Sequence, residues 1–356
     1  MKNTYQYIWR FALILVLVIS SIEIKAQDLR YSQFFNTPSL LNPALTGIMP
    51  SDYRVGIIHR KQWVSLQNPY TSFSGYADYN IRKPGKQLNK IGLGLTFSND
   101  NVGNGIFVNN QVLLATSFQF KLNKRATKHI VFGLQGGAVT KSLDQAKLIY
   151  ASQFNPDQFA LDPSKASGEQ TSNNAFVPLL HFGTMFTNKV SSKFNYVIGI
   201  SAYNLIPNSE DYIDNVIGDG VKNSSLRSQA NLGADIGVSN KLTLSPQILI
   251  AMQAGSNEVN AGGIAKIKSP FQMNSKPVDL EAGLFYRLGD AGVVYGGAMY
   301  NNIRLGLSYD FSYSQVRNVK PSGNNLYSGS YEITLTYFGF LQRLIPGPVT
   351  IPCSTF

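Results

Sequence analysis

The chain has 356 residues, 44% hydrophobic and only 14% charged, with 21 Phe, 19 Tyr and 31 Gly. Soluble domains carry roughly a quarter of their residues as charges, so this composition argues against an ordinary soluble, helix-rich domain and for aromatic-rich strands joined by tight turns. A single cysteine, Cys353, excludes an intramolecular disulfide framework and a thiolate metal cage. The net charge of +11 suits anionic lipid headgroups or an acidic protein partner, export having removed nucleic acid from consideration.

Export is read from the first segment. Lys2 and Arg10 precede the apolar run from Phe11 to Ile19, and Ile24-Lys25-Ala26 ends on a small residue, the pattern of a leader cleaved after Ala26. Glu23 and Lys25 stop the run well short of the ~20 residues that a spanning helix needs. Residues 1–26 are therefore expected to be a cleaved signal.

Residues 27–52 follow, containing Tyr31-Ser32-Gln33-Phe34, Asn36-Thr37-Pro38 and Asn42-Pro43-Ala44. They show neither period two nor period 3.6, and Thr-Pro and Asn-Pro favour turns. The segment reads as a structured periplasmic arm or as a plug tucked in a lumen.

From residue 53 to 340 the pattern changes to alternation. In Ile91-Gly-Leu-Gly-Leu-Thr-Phe-Ser98 every second residue is apolar, and the same holds at Phe73, Ala77, Tyr79; at Val112, Leu114, Phe118, Phe120; at Ile198, Ile200, Ala202; at Leu244, Ile248, Ile250; and at Ile303, Leu305, Leu307, Tyr309. We read about fourteen strands of roughly nine to thirteen residues, longer than the usual 5 to 6 and matched to the 9 to 11 of a tilted membrane strand. The intervening positions include Gln119, Asn231, Glu281, Arg287, Arg304, Asp310 and Glu332. They are too polar for the shared core of a sandwich, so the fold class is an all-β transmembrane antiparallel barrel with lipid outside.

Two asymmetries support that choice. Connections after even strands are short, whereas the three long ones, near 142–177, 205–227 and 314–328, follow odd strands, as in outer-membrane barrels with short periplasmic turns. The short ends are basic, notably Lys121, Lys124, Arg125 and Lys128, and Asp144, Asp157, Asp162, Glu169, Glu210, Asp211, Asp214 and Asp219 gather at the other end. The basic rim is expected to meet an acidic partner or inner-leaflet phospholipid. Residues 341–356, with three prolines, form a tail that prevents Phe356 from closing a regular last strand.

Catalytic constellations are not evident. His59, His129 and His181 lack metal-ligand spacing and no serine is singled out beside them, so no catalytic residue, cofactor or metal is expected. An outer-membrane hydrolase would need one of these histidines beside a serine and a carboxylate. A passive porin or small-solute transporter is the main alternative, and it would need an open polar lumen.

The leader end Ala26-Gln27-Asp28 with YSQFFNTPSLLNPALTG, HRKQWVSLQNPYTSFSGYADYNI and IGLGLTFSNDNVG resembles the PorP/SprF family of outer-membrane proteins of type IX secretion and gliding motility. The resemblance implies a non-enzymatic barrel that binds periplasmic ring or peptidoglycan-linked components, a large secreted adhesin recognised by its C-terminal domain, or both. The residues that carry the signature, and with it an expected role in partner binding, are Tyr31, Ser32, Gln33, Phe34, Asn42, Pro43, Ala44, Gly47, Arg60, Trp63, Pro69, Tyr70, Ser72 and Phe73.

Overall fold

The computed structural model describes residues 30–341 except 65–67, 82–89, 104, 145–146, 149–152, 156–159, 163–173, 208–225, 275 and 315–328. The expected signal at 1–26 and the tail beyond Leu341 lie outside the described residues, as do Asp157, Glu169, Glu210, Asp211, Asp214 and Asp219.

Alternating sequence yields strands: β1 (Tyr53–Gln62), β2 (Tyr70–Ile81), β3 (Lys90–Val102), β4 (Phe107–Lys121), β5 (Lys128–Leu143), β8 (Asn174–Lys189), β9 (Phe194–Tyr203), β10 (Arg227–Gly237), β11 (Leu242–Gln253), β12 (Ser256–Met273), β13 (Lys276–Arg287), β14 (Ala291–Tyr300), β15 (Ile303–Ser312) and β16 (Gly329–Gly339). These fourteen close into one antiparallel barrel, and a separate small hairpin, β6 (Phe154–Asn155) with β7 (Ala160–Leu161), lies in the long connection between β5 and β8. Closure is made by β1 against β16, in register from Tyr53 opposite Gly339 to Lys61 opposite Tyr331. It leaves no sheet edge, the condition for placing strands in hydrocarbon where no water can satisfy backbone groups.

The register decides which face is oily. In β3, Leu93, Leu95 and Phe97 are 46%, 48% and 40% exposed, while Thr96 and Ser98 are 2% and 3% exposed. The apolar set faces outward, as a lipid solvent requires and the reverse of a soluble sandwich. Exposed Leu, Ile and Val such as Ile57, Leu114, Leu134, Ile198 and Leu305 occupy the middle of the wall. Aromatic rings collect toward its ends: Tyr53, Tyr79, Phe120 and Tyr196 at one, Tyr286, Tyr309, Phe311 and Tyr313 at the other. Two such girdles mark the headgroup levels of a bilayer.

Both barrel ends of the chain, Tyr53 and Gly339, lie at the end with short turns such as 238–241 and 301–302. The long connections 144–173, 204–226 and 313–328 leave from the opposite end. Four strands exceed the expected length: β4 has 15 residues, β5 and β8 have 16 and β12 has 18. The first three run on past the apolar band at the long-loop end, and β12 does so at the short-turn end.

Candidate functional site

The lumen is occupied by the chain's own residues 30–52. This segment is three single helical turns, Phe34–Asn36, Pro38–Leu41 and Pro43–Leu45. Pro38 and Pro43 each start a turn, where a missing N–H costs nothing, and the Asn42 side chain caps the third by accepting from Ala44 N–H at 2.9 Å. Turns this short leave most carbonyls without an intrahelical donor. The wall supplies the donors: Tyr76 Oη to Asn36 O at 2.8 Å, Tyr203 Oη and Gln229 Nε2 to Leu41 O at 2.6 and 2.5 Å, and Ser117 Oγ to Thr46 O at 2.6 Å. These donors come from β2, β9, β10 and β4, so the segment is tied to opposite sides of the barrel.

Its apolar side chains meet an apolar patch inside the wall. Phe34, Phe35, Leu41, Ala44, Leu45 and Ile48 cluster with Val131, Met185, Val197, Leu249, Ile264, Phe285, Val293 and Tyr295. Phe35 stacks on Phe285 at 5.3 Å and meets Tyr295 edge-on at 4.9 Å. The barrel thus has a hydrophobic core inside as well as a lipid-facing skin. Closest approach falls on glycines: a Cβ on Gly92 would collide with Thr46 O, and one on Gly133 with the backbone of Pro43 and Ala44. Only a bare backbone lets the two chains pack there.

Toward the long-loop end, charge takes over. The carboxylate of Glu332 accepts from Ser32 N–H at 2.6 Å and Gln33 N–H at 2.8 Å, and it pairs with Arg60 Nη1 at 2.7 Å. Asp310 accepts from Ser32 Oγ at 2.6 Å and pairs with Arg287 at 2.9 Å and Arg60 at 3.5 Å. Arg30 pairs with Glu258 at the start of β12. Tyr31 Oη shares a hydrogen bond with Ser74 Oγ of β2 at 2.7 Å. At mid-depth Asn42 Nδ2 reaches Asn231 Oδ1 at 3.1 Å. At the short-turn end Asp78 holds Gly47 N–H at 2.7 Å and forms a two-point pair with Arg54 at 2.9 and 2.6 Å. Asp52 then bonds to Gly339 O through its N–H at 2.9 Å. The segment therefore crosses the lumen once, from the long-loop mouth at Arg30 to the short-turn end at Asp52.

The structure brings most of the signature together. Tyr31, Ser32, Gln33, Phe34, Asn42, Pro43, Ala44, Gly47, Arg60 and Ser72 are all buried; the first eight belong to the lumenal segment, and Arg60 and Ser72 to the wall strands β1 and β2. Trp63, with a left-handed φ of 53°, packs edge-on against Tyr70 at 4.9 Å beside half-buried Pro69, in the connection between β1 and β2. Phe73 stands apart on the lipid face. Sequence reading singles out neither Asp78 nor Glu258 as a partner of the segment. Each occupies the inward register of its strand, which is the one signal that could have found it.

Lys124, Arg125 and Lys128 are exposed and Lys121 half-buried at the turn between β4 and β5, next to exposed Lys189 and Lys193 of the neighbouring turn. The three histidines lie on separate strands: His59 on the outer face of β1, His129 as the second residue of β5 and His181 inside β8, where its Nδ1 accepts from Asn204 N–H at 3.0 Å. Among the described residues no group of three or more His, Cys, Asp and Glu side chains is placed to hold a metal ion.

Solved structures similar to the chain include the Ralstonia pickettii toluene transporter TbuX (10% identity, TM-score 0.47, covering 85% of this chain and 92% of that one) and the Pseudomonas putida toluene transporter TodX (12%, 0.47, 85% and 92%). A Pseudomonas aeruginosa FadL homologue is similar at 13% identity and TM-score 0.44, covering 85% and 94%. No curated protein matches the chain at a significant level. Residues 23–337 match the family described as type IX secretion system membrane protein PorP/SprF. With nearly the whole barrel inside that match and a wall whose oily face can be solvated only by lipid, the chain is a PorP/SprF family protein of the type IX secretion system, located in the outer membrane.

Proposed function

We propose that this protein works without catalysis or cofactor, as a closed outer-membrane platform that binds other components of type IX secretion. The observation that carries the reading is the lumen: residues 30–52 cross it and are hydrogen-bonded to opposite walls, which argues for work at the rims over work through the bore. The periplasmic rim offers Lys121, Lys124, Arg125 and Lys128 to an acidic ring or peptidoglycan-linked protein. The long outer connections offer a surface to the C-terminal domain of a large secreted adhesin. The lumenal signature residues act indirectly in this reading, by holding the barrel and its rims in one shape.

Affinity purification from detergent-solubilised envelopes tests this. Recovery of periplasmic secretion components or an adhesin is expected, with the periplasmic set reduced when Lys121, Lys124, Arg125 and Lys128 are replaced by Gln. Recovery of neither class would overturn the proposal. Steady conductance of the intact protein in planar bilayers would favour a passive porin instead.

A further inference from the structure

We infer that the hairpin formed by the end of β12 and the start of β13 is a binding site for anionic phospholipid in the periplasmic leaflet. The neighbouring strands stop short of it: β11 begins at Leu242, opposite Ile267, and β14 ends at Tyr300, opposite Val278. Residues 268–274 and 276–277 continue as the two strands of a tongue at the end where the short turns lie. Its stem is kinked by a register shift between Ile267 and Phe271, with Ser269 at a left-handed φ of 48° and its N–H held by Asp279 Oδ1 at 2.8 Å. A bulge fixed in this way re-aims the strand beyond it.

The tongue exposes two large apolar side chains, Phe271 at 51% and Met273 at 46%. They are two residues apart and so share a face. Phe271 stands across from Val278 and Met273 across from Lys276, in line with the lipid-facing side of the wall. Phe271 lies at the level of Tyr300, and Met273 lies two residues beyond it. The oily face therefore continues past the last strand of its neighbours into the headgroup layer. Lys276 on that face, and exposed Lys268 and Lys241 adjacent to each other at the stem, bring ammonium groups where lipid phosphates lie. Apolar stems in the acyl boundary with lysines at the phosphates are the chemistry of an interfacial anchor. Strand addition by a protein fits less well, because Pro270, Pro277 and the bulge blunt both edges.

The test uses the full-length protein in nanodiscs, with Cys353→Ser as background and a fluorophore attached through Met273→Cys or, on the opposite face, Gln272→Cys. Lipids brominated on the acyl chain serve as quenchers. Quenching is expected at position 273 and not at 272, and to be stronger with phosphatidylglycerol than with phosphatidylcholine. Each of Lys268→Gln and Lys276→Gln should raise the phosphatidylglycerol needed for half-maximal quenching by about fivefold. Heat-modifiable gel mobility verifies that each variant is a folded barrel. No quenching at 273, equal quenching at 272 and 273, or no preference for the anionic lipid would overturn the inference, as would shielding of 273 that appears only when a periplasmic protein is added. The proposed secretion contacts do not enter this test, so either idea can fail alone.

Discussion

The wall and the segment inside it obey different rules. A wall residue such as Leu95 is placed by its parity in a strand: one step along, Thr96 faces the lumen, and the backbone pairing is the same for both. A lumenal residue such as Asn42 has no repeat to place it. Its position is set by Asn231, Thr184 and Ile200, which lie 142 to 189 residues away in sequence. The wall resembles a pattern that tolerates exchange of one oily side chain for another, whereas the lumenal segment resembles a key cut for one lock.

That contrast can be broken most forcefully at Arg60. Arg60→Ala leaves Glu332 and Asp310 buried without their shared cation, and removing one member of such a network costs about 3–5 kcal/mol. The temperature of the heat-modifiable mobility shift should fall accordingly, and Arg60→Lys should recover part of it. On the lipid side, Leu114→Arg at mid-wall should cost about 2–4 kcal/mol, read from denaturant unfolding in bilayers, although Leu114 touches nothing in the lumen. If Arg60→Ala proved milder than Leu114→Arg, the lumenal network would matter less than the skin.

Gly133→Ala sharpens the comparison further, because it adds one carbon to the lumen side and leaves the outer face unchanged. Overpacking against the backbone of Pro43 and Ala44 should cost about 1–3 kcal/mol and should make residues 30–52 accessible to protease added in detergent. Gly136→Ala, at a site where the nearest atom to a new Cβ is 3.7 Å away, is the control and should do neither. The smallest effect belongs to the rim. Lys124→Gln should change stability within about 0.5 kcal/mol, so any loss of partner recovery in that variant reports binding and not folding.

Much of the wall is legible in the amino-acid sequence. The parity of Leu93, Leu95 and Phe97 against Thr96 and Ser98, the strand lengths and the alternation of short with long connections lead to a fourteen-stranded membrane barrel, which the structure has. The inward polar set containing Asn231, Arg287, Asp310 and Glu332 stands out as polarity out of place in a shared core. What each of these touches is not legible. Ser32 meets Asp310 and Glu332 across about three hundred positions, and period-two reasoning carries no information about contacts over that distance.

The sequence by itself determined which face of the clearly alternating strands meets lipid, because a strand's side chains alternate locally and the oily set must avoid water. Only the tertiary structure decided where residues 30–52 go. Without a repeat, that segment gains its hydrogen-bond partners and its apolar cover only after the wall has closed around it, and its direction, from Arg30 at the outer mouth to Asp52 at the periplasmic end, is a property of the closed barrel.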